Sequence, residues 1–293
     1  MEPDLPSDDD GLPELKEELP ELKEQRPVKR PRKRKHFDGP RMEELMKVEV
    51  VPHRMPDLWF AAPLPAQLDG TIQDDFLEVY SPPRLVPLAV QSNMRASVSM
   101  DLLTGWNFLS MDAKISAVQV VKARRPKVIM LSPPCTMFSG LMNLNWAKLE
   151  PGKRETSLLN GTNHLEFSML LADLQESAGR GWCFEHPAAA RSWKNQAVER
   201  MTEPARVALF DQCMFGLRSK VGNIAMKKST RFLTNMPQVR TAFHLRRCDK
   251  SHIHCSIQGS EGGEKRSVWA QRYPAAMCAE LMASSQAYTT AST

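Results

Sequence analysis

The chain has 293 residues, 42% apolar content and a formal net charge of +5. That suffices for one large core or two small ones, while no apolar run approaches the roughly 18 residues a membrane span needs, which excludes an integral membrane protein. Six cysteines, at 135, 183, 213, 248, 255 and 278, in a long chain with an acidic start and no secretory leader imply reduced thiols and an intracellular compartment.

Charge is distributed unevenly along the chain. Residues 1–25 carry ten acidic and two basic side chains, and include the heptad-spaced repeat Leu12-Pro13-Glu14-Leu15-Lys16-Glu17 and Leu19-Pro20-Glu21-Leu22-Lys23-Glu24. Neither copy has enough apolar surface to offset its ordering entropy, so a disordered tail is expected over 1–41. Within it, Pro27-Val28-Lys29-Arg30-Pro31-Arg32-Lys33-Arg34-Lys35 reads as a nuclear-import signal or a nucleic-acid arm, and a nuclear location is expected. Residues 42–75 form a proline-rich linker. Residues 37–74 sum to about −4, which leaves about +10 on the remainder, a surplus suited to a polyanionic partner.

From residue 76 onward strands and helices alternate. Residues 76–80 read as a first strand, 85–95 as a helix, 97–101 as a second strand and 111–123 as a helix closed by Pro126; 127–131 is an apolar run of the buried parallel type. Residues 164–177 form an amphipathic helix, 181–185 a strand, 193–209 a largely helical stretch, 230–234 a last strand and 274–285 a terminal helix. The alternation predicts an α/β domain over 76–293, with a mainly parallel sheet covered by helices on both faces. Ligands of such sheets bind beyond the carboxyl ends of the strands. Three marked segments sit there: Tyr80-Ser81-Pro82, Ser132-Pro133-Pro134-Cys135-Thr136-Met137-Phe138-Ser139 and Glu185-His186-Pro187. Two consecutive prolines fix φ and remove two backbone donors, so the chain leaves the sheet stiffly and holds Cys135 at the rim as a candidate nucleophile. Abundant Arg and Lys in the domain are expected to favour its thiolate.

Pro-Pro-Cys-x-x-Phe-Ser at the end of an apolar strand resembles the catalytic loop of the DNA cytosine-5 methyltransferases. Phe184-Glu185-His186-Pro187 occupies the place of that family's second signature, and Lys228-Ser229-Thr230-Arg231-Phe232-Leu233-Thr234-Asn235 resembles its basic segment. The resemblance covers about 200 residues, through order and spacing. It is greatest to the divergent domains carried by some eukaryotic retroelements, and implies a Rossmann-like fold of the S-adenosylmethionine-dependent type. It implies the following chemistry: Cys135 adds to C6 of a target cytosine in DNA, Glu185 protonates N3, Arg231 enters the site, and C5 takes a methyl group from S-adenosylmethionine. The base must leave the helix stack for this. For the cofactor, the resemblance implies Tyr80, Ser81 and Pro133 at the strand ends, Asp101 on the ribose hydroxyls, and Trp106 and Asn107 at the adenine. Where the family has a glycine-rich loop, this chain has Tyr80-Ser81-Pro82-Pro83-Arg84. The recognition region that remains, 237–272, is short.

Three other readings stand beside this one. Cys248, His252, His254 and Cys255 lie within eight residues, and Cys213 could join them in a zinc site, although the spacing fits no standard finger. His164-Leu165-Glu166 with Pro134-Cys135 contains the pieces of a zinc deaminase in reversed order, without its second cysteine. A non-catalytic nucleic-acid-binding module explains the charge equally well, but not the cysteine, glutamate and arginine at successive strand ends.

Overall fold

The computed structural model describes residues 73–291 apart from 141 and 143–145. The predicted tail, its basic run and all but the last three residues of the predicted linker lie outside the described residues. Those last three already belong to the domain. Asp74 donates its N–H to the Arg124 carbonyl, and its own carbonyl accepts from Lys127 N, while Asp75 pairs with Lys127 at 3.1 Å.

Six strands form the central sheet: β1 Phe76–Val79, β2 Ala96–Met100, β3 Val128–Leu131, β4 Gly181–Pro187, β5 Val207–Asp211 and β7 Ser229–Thr234. A two-residue strand, β6 Ala225–Met226, lies outside it and pairs with β8 His254–Cys255; β9 Ser260–Glu261 and β10 Glu264–Lys265 form a small hairpin. The sheet order is β2-β1-β3-β4-β7-β5. β1 to β4 pair in parallel, and β7 alone runs antiparallel, wedged between β4 and β5. The expected mainly parallel α/β architecture is therefore present.

Seven helices accompany the sheet among the described residues: α1 Leu85–Gln91, α2 Met111–Arg124, α3 Pro151–Ser177, α4 Gln196–Glu199, α5 Pro237–Phe243, α6 Arg266–Trp269 and α7 Ala275–Ala291. Strand alternation divides the core in two. Leu77, Val79, Ile129, Leu131, Trp182 and Phe184 point to one face, where α2 and α3 deliver Val118, Val121, Leu165 and Leu171. Phe76, Val128, Met130, Cys183 and Phe232 point to the other and meet Leu85 of α1, Phe243 of α5 and Leu281 of α7. Helices thus cover both faces, as the parallel strands require.

Some boundaries differ from the expectations, each for a local reason. The stretch 193–209 is not largely helical: Asn195 caps only the single turn of α4, Glu203-Pro204 starts a 3₁₀ turn, and β5 follows. α3 begins thirteen residues before the predicted start at 164, with Pro151 at its first position, where a missing N–H costs nothing. α5 belongs to the core through Val239 and Phe243, so of the segment expected to serve recognition only 244–272 lies outside it.

The glycine-free turn after β1 is held by a buried carboxylate. Glu78, fully enclosed, accepts from Arg84 N at 2.9 Å and Val86 N at 3.2 Å through Oε1 and from Leu85 N at 3.1 Å through Oε2, and Ser99 Oγ of β2 donates to it at 2.6 Å. It thus pairs the first N–H groups of α1, which would otherwise lack partners. Tyr80, at the strand end, adopts φ +63°, a left-handed conformation unusual for a bulky residue.

Gly161 in α3 makes room for the loop that carries Cys135. A Cβ there would stand 2.9 Å from Phe138 Cε2 and 3.1 Å from Cζ. Gly161→Ala gains about 1 kcal/mol of helix propensity but loses about 1–3 kcal/mol to overpacking. The expected result is a net loss of about 1 kcal/mol in urea titration, with an altered alkylation rate at Cys135 as Phe138 shifts.

Candidate functional site

β1 has β2 on one side and β3 on the other, so the chain reverses its order of travel between β1 and β3, and a crevice opens at their carboxyl ends. A cavity of about 300 Å³ lies there, at the lower end of the range for small-molecule sites. Its walls include Tyr80, Ser81 and Pro82 after β1, Asp101 and Leu103 after β2, Ser132 to Thr136 after β3, and Glu185 of β4. Lys228, Gln271 and Tyr273 close it. Six predicted site residues are thereby brought to one cavity: Cys135, Glu185, Tyr80, Ser81, Asp101 and Pro133.

Cys135 is partly exposed, and its carbonyl accepts from Phe138 N and Ser139 N, both at 3.0 Å, so the loop turns immediately after it. The loop is anchored from below by His186. This imidazole is fully buried between Phe184, which it stacks on, and Trp193. Its Nε2 lies 3.2 Å from the Pro133 carbonyl and its Nδ1 2.6 Å from Ser192 Oγ. A carbonyl can only accept, so Nε2 carries the proton and Nδ1 accepts from the serine hydroxyl.

Burial pushes His186 down to about 3, despite the bond to Pro133. The folded chain therefore refuses a proton that the unfolded chain binds below about 6.5. The associated stability is present above pH 6.5 and is lost as pH falls toward 3, by about 5 kcal/mol at about 1.4 kcal/mol per unit. His164, pushed down to about 4 by burial and by Lys114, acts in the same direction. Urea midpoints measured between pH 7 and pH 4 should fall steeply, and less steeply in His186→Gln.

Glu185 is 7% exposed, and its Oε1 has no hydrogen-bond partner; the nearest cation, Lys228 Nζ, stands 3.7 Å away. A buried carboxylate oxygen facing a cavity without a donor is an unmet demand for one. Opposite it, Tyr273 donates to or accepts from Ser132 Oγ at 2.8 Å, and its ring lies 5.9 Å from Lys228 Nζ. Burial, reinforced by Glu185, holds its phenol well above the usual range, so it stays protonated.

Three expectations require correction. Arg231 does not line the cavity. It pairs in register with His186, and its guanidinium lies 4.6 Å from the Trp193 ring, on the sheet face opposite Glu185, which pairs with Phe232. The cations that line the cavity are Lys228, three positions earlier and so of opposite parity, and Arg84 after β1. Trp106 is 2% exposed and packs in the core beside Phe108, and Asn107 uses its side chain to accept from Leu109 N, so neither lines the cavity. Leu103, 82% exposed, stands at the mouth instead. Nor do the surroundings favour thiolate: burial pushes the Cys135 thiol up and Glu185 adds to this, with Lys228 opposing.

Asp101 does occupy the expected place. It caps the turn after β2, with Oδ1 accepting from Leu103 N at 2.9 Å, while Thr104 Oγ1 accepts from Asp101 N. Lys228 and Tyr273 were missed. Lys228 precedes β7, and the face it takes follows only from the register of β7 on β4; Tyr273 is 141 residues from its partner Ser132 and left no local signal.

No helix among the described residues is long and apolar enough to cross a membrane. No protein-family model and no curated protein matches the chain.

Proposed function

We propose that this domain methylates C5 of cytosine in DNA, through a covalent adduct on Cys135. One observation carries the reading: a thiol and a buried carboxylate oxygen that accepts no hydrogen bond, from adjacent parallel strands, share a cavity that continues to an aspartate at the end of β2. A cytosine ring presents to such a pair an electrophilic C6 and, across the ring, an N3 that accepts a proton.

The sulfur of Cys135 forms the bond to C6 while Glu185, in its acid form, gives its proton to N3, so the electron pair released from the C5=C6 bond becomes available at C5. With a proton on Glu185, its repulsion of the Cys135 thiolate disappears, so the two events support each other. Lys228 offsets the same repulsion when Glu185 is ionised. Bound S-adenosylmethionine supplies an electrophilic methyl group. The lining suits that cofactor at its nucleoside end, with Asp101 for a vicinal diol and Leu103 for an apolar ring face. Loss of the C5 proton to solvent, return of the N3 proton to Glu185 and departure of sulfur with its electron pair restore the ring and the enzyme. The surplus of about +10 beyond residue 74 favours a polyanion such as DNA, and a base must be flipped out to reach the thiol.

The test is transfer of labelled methyl from S-adenosylmethionine to cytosine-containing DNA. Product 5-methylcytosine supports the reading; absence of both transfer and calorimetric cofactor binding overturns it. A second reading is a nucleic-acid-binding module without catalysis, favoured by surroundings in which burial and Glu185 push the Cys135 thiol up, away from its nucleophilic form. That reading gives DNA binding with no transfer in the same experiment.

A further inference from the structure

Away from the cavity, four ligand-bearing side chains converge from three segments. Cys213 lies in the 3₁₀ turn Gln212–Phe215 after β5, Cys248 and His252 in the loop after α5, and His254 opens β8. One atom from each, the two Sγ and two imidazole nitrogens, all lie within 4.8 Å of one another. Cys248 Sγ stands 3.7 Å from His252 Nε2 and 3.5 Å from His254 Nε2. A tetrahedral zinc with Zn–S of about 2.3 Å and Zn–N of about 2.0–2.1 Å sets sulfur and nitrogen about 3.5–3.6 Å apart.

The surroundings are those of ligands rather than of a hydrogen-bonded cluster. Cys248 has a single S–H proton, which cannot serve both imidazoles. Ser251 Oγ donates to Asp249 Oδ1 at 2.7 Å, so its lone pair is left for Nδ1–H of His252 at 3.4 Å, which frees Nε2 to face inward. Lys250, at φ +64°, turns the chain so that its N–H points at Cys248 Sγ at 3.4 Å, a bond suited to a thiolate. Asp211 Oδ2 accepts from Cys248 N at 2.9 Å and from Arg247 Nε at 3.0 Å and fixes the loop to the end of β5.

The geometry points to a structural zinc site formed by Cys213, Cys248, His252 and His254. Binding releases the two thiol protons, and the divalent ion with two thiolates and two neutral imidazoles is then electrically neutral. All four positions are filled by protein, so the ion is structural and not hydrolytic. Cys255, expected from sequence as a ligand, is replaced by Cys213: its Sγ lies 3.8 Å from the Ile224 carbonyl, outside the convergent group. The ion ties the 244–272 segment to β5. Through the β6–β8 pair it also supports Ala225–Met226, two residues before Lys228.

The full chain, purified without chelators from zinc-supplemented cells, should contain one zinc per chain by elemental analysis. X-ray absorption should give two sulfur neighbours at about 2.3 Å and two nitrogens at about 2.0–2.1 Å. Cys248→Ser and Cys213→Ser should lose the metal, and Cys255→Ser should keep it. A metal-free wild-type chain, a shell without sulfur, or loss of zinc in Cys255→Ser would overturn the assignment. If the serine variants do not fold, the absorption spectrum of the native chain decides.

Discussion

Cys135→Ser should lose methyl transfer by at least about 10³-fold and form no denaturation-resistant adduct with DNA containing 5-fluorocytosine. The adduct is the sharper readout. With fluorine at C5 there is no proton to lose after methylation, so sulfur cannot be expelled and the wild-type chain stays attached. Because burial and Glu185 push the Cys135 thiol up, the thiolate fraction is small at neutral pH. It grows about tenfold per pH unit until the raised pKa is passed, above the ordinary value near 8.5. Alkylation of the free enzyme by iodoacetamide should follow that curve beyond pH 8.5. A wild-type alkylation profile that levels off near pH 7 would contradict the electrostatics described for the loop.

Glu185→Gln should move two measurements in opposite directions. Removing the negative charge lowers the Cys135 pKa, so alkylation at neutral pH becomes faster. Removing the acid proton lowers methyl transfer by about 10²–10⁴-fold. A carboxylate that served only as a structural neighbour would speed alkylation without that loss. Lys228→Met is the complementary case. It removes the cation that opposes the upward push, so alkylation slows, and thermal melts of both variants establish that the fold is intact. The pair separates charge at the site from proton delivery, because Lys228 contributes only the first.

The buried parallel strands were legible because apolar runs ended by Pro or Ser have few other solutions. β1, β3 and β4 fall within one or two residues of the expected ends, and the residues just beyond them line the cavity. Trp193, Ala197, Val198 and Met201 misled for a related reason: their spacing is helical, yet all but Ala197 are buried by short turns on one core face. Trp106 misled because an aromatic near a site serves equally well as core, and burial alone distinguishes the two. Arg231 and Lys228 differ by strand parity, which is countable only once β7 is known to pair with β4 and in which register. The zinc ligands divide likewise. Cys248, His252 and His254 are local, whereas Cys213 is brought in from β5 by the sheet, so sequence proximity favoured Cys255.

The segments around the proposed metal have a small cluster of their own. Leu217, Met226 and Ala270 pack with Cys255, Ile257 and Trp269 and share no residue with the two clusters that flank the sheet. The excursion 244–272 is also tied at each end: Leu245 N donates to the Leu209 carbonyl at 3.1 Å, and Tyr273 meets Ser132 at 2.8 Å. It is thus a cassette clipped to the rim, and its length could double at a closure cost of only about 0.6 kcal/mol without the sheet having to be repacked. Apart from Gln271, which lines the cavity, the excursion can therefore vary at a rate separate from that of the scaffold that holds Cys135 and Glu185.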